Sequence, residues 1–188
     1  MQALRDLLAT AETPELGPGS RAQVQSLPDL NRNFDHLFRQ TSLPAARQEL
    51  LRCVVLLWHD HHEAAHEICQ QIETPDGGWL HGLLHRREPD YGNARYWFRR
   101  VGTHPGFPTL AEKVAAFLTS QGEDKLAAQL LPRGQWDSFA FVAACEQAAG
   151  LSSSVTQCQC LRQIQAVEFE VLLEYFWNAR ATPDSTLV

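Results

Sequence analysis

Residues 58–100 read WHDHHEAAHEICQQIETPDGGWLHGLLHRREPDYGNARYWFRR, and the periodicity of this stretch decides the fold. Its apolar positions recur at spacings of three and four, with one break at Thr74-Pro75-Asp76-Gly77-Gly78 and a second at Pro89. The reading is helix, turn, helix, turn, helix. The first helix is expected from about Pro44 to Ile72, the second over 78–88, and the third over 91–101 with Asp90 as its cap and Gly102 as its stop. Outward from there, apolar spacing predicts a short helix over 2–11, a Pro/Gly loop over 13–20, and a helix capped by Asp29. Downstream, helices are expected from Pro108 to Gly122 and over 123–131, 135–149 and 154 to about 181, with Gly150 and Pro183 as terminators. Nothing alternates with period two, so the chain is expected to be all-α. It should form one domain over residues 1–188, an irregular helical bundle with one long central helix and several short ones.

Composition narrows the function classes. The chain has 188 residues, 44% hydrophobic and 20% charged, ordinary for a soluble globular protein. No apolar run approaches the roughly 18–20 residues that span a bilayer, and the first residues lack the pattern of a secretory signal. A cytoplasmic location with no membrane partner is expected. Five cysteines, an odd number, fit reduced thiols packed in helices. With 16 basic against 22 acidic residues the formal net charge is −6, which argues against nucleic acid as a partner.

The same 58–100 stretch holds six of the eight histidines. At about 100° per residue along the expected long helix, Leu51, Val54, Val55, Trp58, Ala65, Cys69 and Ile72 share a stripe. His62 falls in the middle of that stripe, His59 and His66 along its flank and Glu63 at its edge, while Asp60, Glu67 and Gln71 point toward water. On the next helix His81, Leu84, His85 and Glu88 share a face, and Gly82 permits close approach beside it. Two helices joined by a short turn are neighbours, so these faces can meet. Far downstream, Glu168 lies within the apolar stripe of the last helix, where a carboxylate needs a partner.

Four inward histidines, His62, His66, His81 and His85, are candidate metal ligands. Neutral imidazole is a ligand for Zn, Fe or Ni rather than for Mg or Ca. Glu63 and Glu168 are the candidates to move a proton. One or two of Arg86, Arg87, Arg95, Arg99 and Arg100, with Arg86 or Arg87 foremost, could clamp a small anionic molecule through a bidentate fork, and Asn93, Tyr96 and Trp97 would supply hydrogen bonds and a wall. Two other readings stay open. Arg86, Arg87, Glu88 and Asp90 could form an internal salt-bridge network, the histidines being part of a metal-free buried network in a structural or interaction protein. Alternatively His62-Glu63-Ala64-Ala65-His66 matches H-E-x-x-H, the zinc peptidase pattern. That match lacks the G-x-x-H continuation and the usual uncharged flanks.

The run Trp58-His59-Asp60, His66, His81, His85-Arg86-Arg87-Glu88, Asp90, Asn93-Ala94, Tyr96 to Gly102 and His104-Pro105 resembles a family of small all-helical proteins from bacteria and fungi. The likeness is strong over about a quarter of the chain. It implies no particular activity, and it favours His66, His81 and His85 over His62 as the histidines that belong together.

Overall fold

A computed structural model describes residues 1–19, 21–152 and 154–178. Among them the chain is an all-α bundle with no strand. The helices are α1 (Gln2–Leu8), α2 (Leu27–Arg39), α3 (Ala45–Trp58), α4 (His62–Cys69), α5 (Pro75–Arg87), α6 (Tyr91–Val101), α7 (Phe107–Gln121), α8 (Asp124–Leu130), α9 (Ser138–Ala148) and α10 (Thr156–Asn178), with a 3-10 turn at Pro132–Gly134 between α8 and α9. Ser20, at the end of the expected N-terminal loop, and the expected end of the last helix near Ala181 and Pro183 lie outside the described residues.

The expected long central helix is two helices. Residues 59–61 separate α3 from α4, and Asp60 stands there with φ +65°. The break is a helix C-terminus of the Schellman type: His61 N–H donates to the Leu56 carbonyl and Asp60 N–H to the Leu57 carbonyl. Aspartate is one of the few side chains that accept a left-handed backbone. Tertiary contacts hold it there, because the carboxylate that was expected to face water is 2% exposed and sits between Arg21 and Arg87. The same two arginines donate to the Trp58 and Leu57 carbonyls that end α3. The register beyond Asp60 is therefore reset.

Other boundaries follow their caps. Ser26, not Asp29, caps α2, its hydroxyl accepting from Asp29 N–H. Thr74 caps α5 by accepting from Gly77 N–H, so Pro75 falls in the first turn and the helix starts three residues earlier than its glycines suggest. Asp90 accepts from Asn93 N–H as expected, and Gly122 closes α7 with φ +69°. Helix α10 lies against α3, α7 and α9, and the wholly buried Phe34, Trp79, Phe98, Phe141, Phe169 and Phe176 fill the centre.

Helices α5 and α6 form the closest pair of the bundle, and this pair positions the site. Their register is antiparallel, His85 meeting Asn93 and His81 meeting Trp97. Gly82 makes the approach possible, since a Cβ there would lie 2.8 Å from the Phe98 ring. The sequence predicts this role for Gly82.

Candidate metal centre

His66 comes from α4, His81 and His85 from one face of α5, four residues apart. A ligating atom on each lies within 4.8 Å of the other two, and among the described residues no other set of three or more His, Cys, Asp or Glu converges in this way. The rings are 5.0 Å apart for His66–His81, 5.6 Å for His66–His85 and 5.1 Å for His81–His85. Bonds of about 2.0–2.1 Å to a tetrahedral ion would put the nitrogens about 3.3 Å apart, so no pair would have to close by more than about 1.5 Å to grip one.

The surroundings favour neutral imidazoles. Burial, reinforced by His85 and His66 nearby, pushes His81 down to about 3. Burial also lowers His85, against the opposing pull of Glu88. Neutral imidazole is the ligating form. His81 stacks on Trp97 at 4.0 Å with ring planes 7° apart, while its Nδ1 is buried and meets no hydrogen-bond partner. Such an orphaned atom asks for an unseen partner, a water or an ion. The donor set therefore fits a divalent transition metal. His85 is oriented on both sides: Nδ1 pairs with Glu88 Oε2 at 2.9 Å and Nε2 with Asn93 Nδ2 at 3.0 Å. With the proton on Nδ1, donated to Glu88, Nε2 keeps its lone pair and accepts from the amide.

Three of the expected site residues stand apart from this group. His62 opens α4 but is not among the converging atoms; its register changed when the long helix broke at Asp60. Its Nε2 is buried without a partner, and burial together with the Arg87 charge lowers it to about 4. His62 and His66 stand one turn apart on α4, but it is His66 and not His62 that joins a converging set of three. Glu63 is exposed on α4 and outside the converging group. Glu168 is wholly buried and already bonded, accepting from Trp79 Nε1 at 2.8 Å and from Arg86 Nη2 at 2.5 Å. It is the partnered core acid that its stripe requires, with both oxygens occupied away from the histidines.

The two arginines foremost among those expected to clamp an anion are also internal. Arg86 is 0% exposed and pairs with Glu168 and Gln165, with its guanidinium carbon 4.3 Å from the centre of the Phe141 ring. Burial works most strongly against its charge, but Glu168, Cys145 and Tyr91 together hold the group above its ordinary value. Arg87 is equally buried, bonded to Asp60 at 2.7 Å and to the Leu57 and Glu15 carbonyls, and burial brings it down to about 10. The internal network is real but its acids are Asp60 and Glu168, not Glu88 and Asp90. Tyr96 is exposed and its hydroxyl accepts from Arg100.

Of the residues expected to hydrogen-bond a substrate, only Asn93 reaches the histidines. Two others of the expected wall and arginine run matter, Trp97 and Arg100. Trp97 and Arg100 follow Asn93 at i+4 and i+7, on one stripe of α6. The Arg100 guanidinium lies 5.7 Å from the Trp97 ring centre and 5.8 Å from that of Tyr96; its Nε is buried without a partner. The i, i+4, i+7 spacing from Asn93 is the signal that points to them.

Comparison of the chain with protein-family models, curated proteins and solved structures finds no match. No described helix is long and apolar enough to cross a membrane.

Proposed function

We propose that this protein binds a divalent transition metal through His66, His81 and His85 and uses the site on a small anionic molecule. One observation carries the reading: three imidazoles on two helices, each with a ligating atom within 4.8 Å of the others. Three nitrogen donors suit Zn(II) first, with Fe(II) and Ni(II) as competitors, and leave a fourth position open. When bound there, the ion would supply Lewis acidity. The chain's own residues supply the rest. Glu88 fixes the His85 tautomer from the outer side. Trp97 walls the site against His81, and Arg100 takes the anion-holding role expected of Arg86 and Arg87. Its Nε has no partner, and no carboxylate lies within ion-pair distance of it among the described residues.

A metal-free structural network is the second reading, and His85 favours it, because both of its ring nitrogens already have partners. Calorimetric titration of untagged, chelator-stripped protein with Zn(II) separates the two. We expect one ion per chain, and a loss of affinity of a hundredfold or more in both His66→Ala and His81→Ala. No saturable binding, or equal binding by wild type and both variants, would leave the structural network as the reading.

A further inference from the structure

We infer that the cavity between α6, α7 and the start of α9 is a second site, and that its ligand is a small aromatic molecule carrying a positive charge. The cavity has a volume of about 700 Å³, within the usual range of small-molecule sites. Phe98, Phe107, Trp136 and Phe139 line it. Phe139, in the first turn of α9, stands 41% exposed, while every other phenylalanine of the chain is buried or half-buried. Aromatic walls of this kind accept the body of a ligand. The charge they carry decides what its polar end must be.

That charge is negative. Glu112 of α7 and Asp137, the cap of α9, both line the cavity, and among the described residues no lysine or arginine does. The Glu112 carboxylate has no hydrogen bond or ion pair among the described residues, and the adjacent Lys113 is committed to Glu174 at 2.8 Å. Asp137 caps α9 with one oxygen: Oδ1 accepts from Phe139 N–H and Ala140 N–H at 2.9 Å, and Oδ2 stays free. His104, also on the wall, does not supply the missing cation. Its Nδ1 accepts from Gly106 N–H at 3.0 Å, which leaves the ring proton on Nε2, paired with Asp76 at 2.8 Å. Two carboxylates beside aromatic rings, with no cation among them, select a positively charged ligand. A carboxylate attracts it by charge and an aromatic face by its quadrupole, and a flat organic cation meets both at once. An anion is repelled by the same wall, so the ligand is opposite in sign to the one proposed for the histidines. None of the three histidines lines this cavity, so the site stands whether or not they bind a metal.

The test uses thioflavin T, a benzothiazolium cation whose emission rises when it is held rigid, and its uncharged counterpart, which lacks the methyl group on the ring nitrogen. Titrated into the full chain, thioflavin T should bind saturably at one site, about fivefold or more tightly than the uncharged dye, whose affinity is read by displacement. Glu112→Gln, at an exposed position of α7, should weaken thioflavin T about fivefold. Asp137→Asn keeps an oxygen to cap α9 and should weaken it about threefold. The double variant should bind the two dyes nearly alike while circular dichroism stays helical. Added salt should weaken thioflavin T in the wild type and much less in the double variant. Absence of saturable thioflavin T binding, equal affinity of the wild type for the two dyes, or unchanged affinity in the double variant would overturn the proposal.

Discussion

Helix α5 turns buried polar groups toward two regions, and the regions differ in how charge is balanced. Arg86 and Arg87 meet Glu168 and Asp60 at 2.5 and 2.7 Å, each a formal charge met by its opposite in the interior. His81 and His85 meet other neutral rings, an amide and a partly exposed carboxylate, and His81 keeps an unpartnered nitrogen. Both regions are polar and buried, and both draw on residues far apart in the chain. The first is balanced in charge, although Arg86 Nε and Nη1 are also buried without a partner; the second holds no ion pair of that kind and offers neutral imidazoles in the ligating form, which is what a metal site requires. Density of polar residues alone does not distinguish them.

The comparison is broken most sharply by removing an acid from the charge-balanced region. Glu168→Ala leaves Arg86 buried and uncompensated, so urea unfolding should show a loss of about 3–5 kcal/mol. His66→Ala strands no charge and should cost less than half as much in the same assay. Equal losses would mean that the histidines are as structural as the ion pairs. An intermediate effect is expected where the regions adjoin. Near His62 stand Arg87, Asp60 and His61, and burial with Arg87 lowers His62 from its ordinary 6.5 to about 4. In the unfolded chain it takes a proton as pH falls below about 6.5, while the folded protein resists until about 4. Its contribution to stability is therefore complete above 6.5 and lost through that window. The slope is at most about 1.4 kcal/mol per pH unit. Urea unfolding of metal-free His62→Leu should therefore fall less than wild type between pH 7.5 and 5, by about 2 kcal/mol; identical pH profiles would contradict the lowered His62.

The smallest effect probes how the histidine region is held while no ion is bound. The Asn93 amide donates to the Nε2 lone pair of His85 at 3.0 Å, the atom a metal would take. Asn93→Ala removes this competitor and should tighten Zn(II) binding about fivefold, equivalent to roughly 1 kcal/mol. Weaker binding in the variant would make Asn93 a helper of the metal instead.

Much of this could be read in the residues themselves. The His81/His85 spacing puts two imidazoles on one helical face whatever surrounds them, Gly82 beside them announces close packing, and Asp90 and Gly102 mark the ends of α6. Glu168 announced a buried partner by lying in an apolar stripe, although not which cation it would meet. His62 and Asp60 were misplaced for one reason: the long apolar stripe continues through residues 59–61 with no proline or glycine to mark a stop. The stop comes from Arg21 and Arg87, distant in sequence, which bind the Asp60 carboxylate and the carbonyls at the end of α3. The unpartnered Nδ1 of His81 carries no local signal, since an unpartnered atom exists only once its neighbours are in place.

What the sequence by itself determined is periodicity: an all-helical chain, the caps of α6, most of its turns, and the meeting of α4 and α5 across their turn. These follow from backbone geometry and side-chain chemistry within a few residues. The tertiary structure alone decided where the long helix breaks, which acids the arginines meet, and which polar atoms are left without a partner. Each of those is a contact between distant segments, whose free energy outweighs local preference only after the chain has closed on itself.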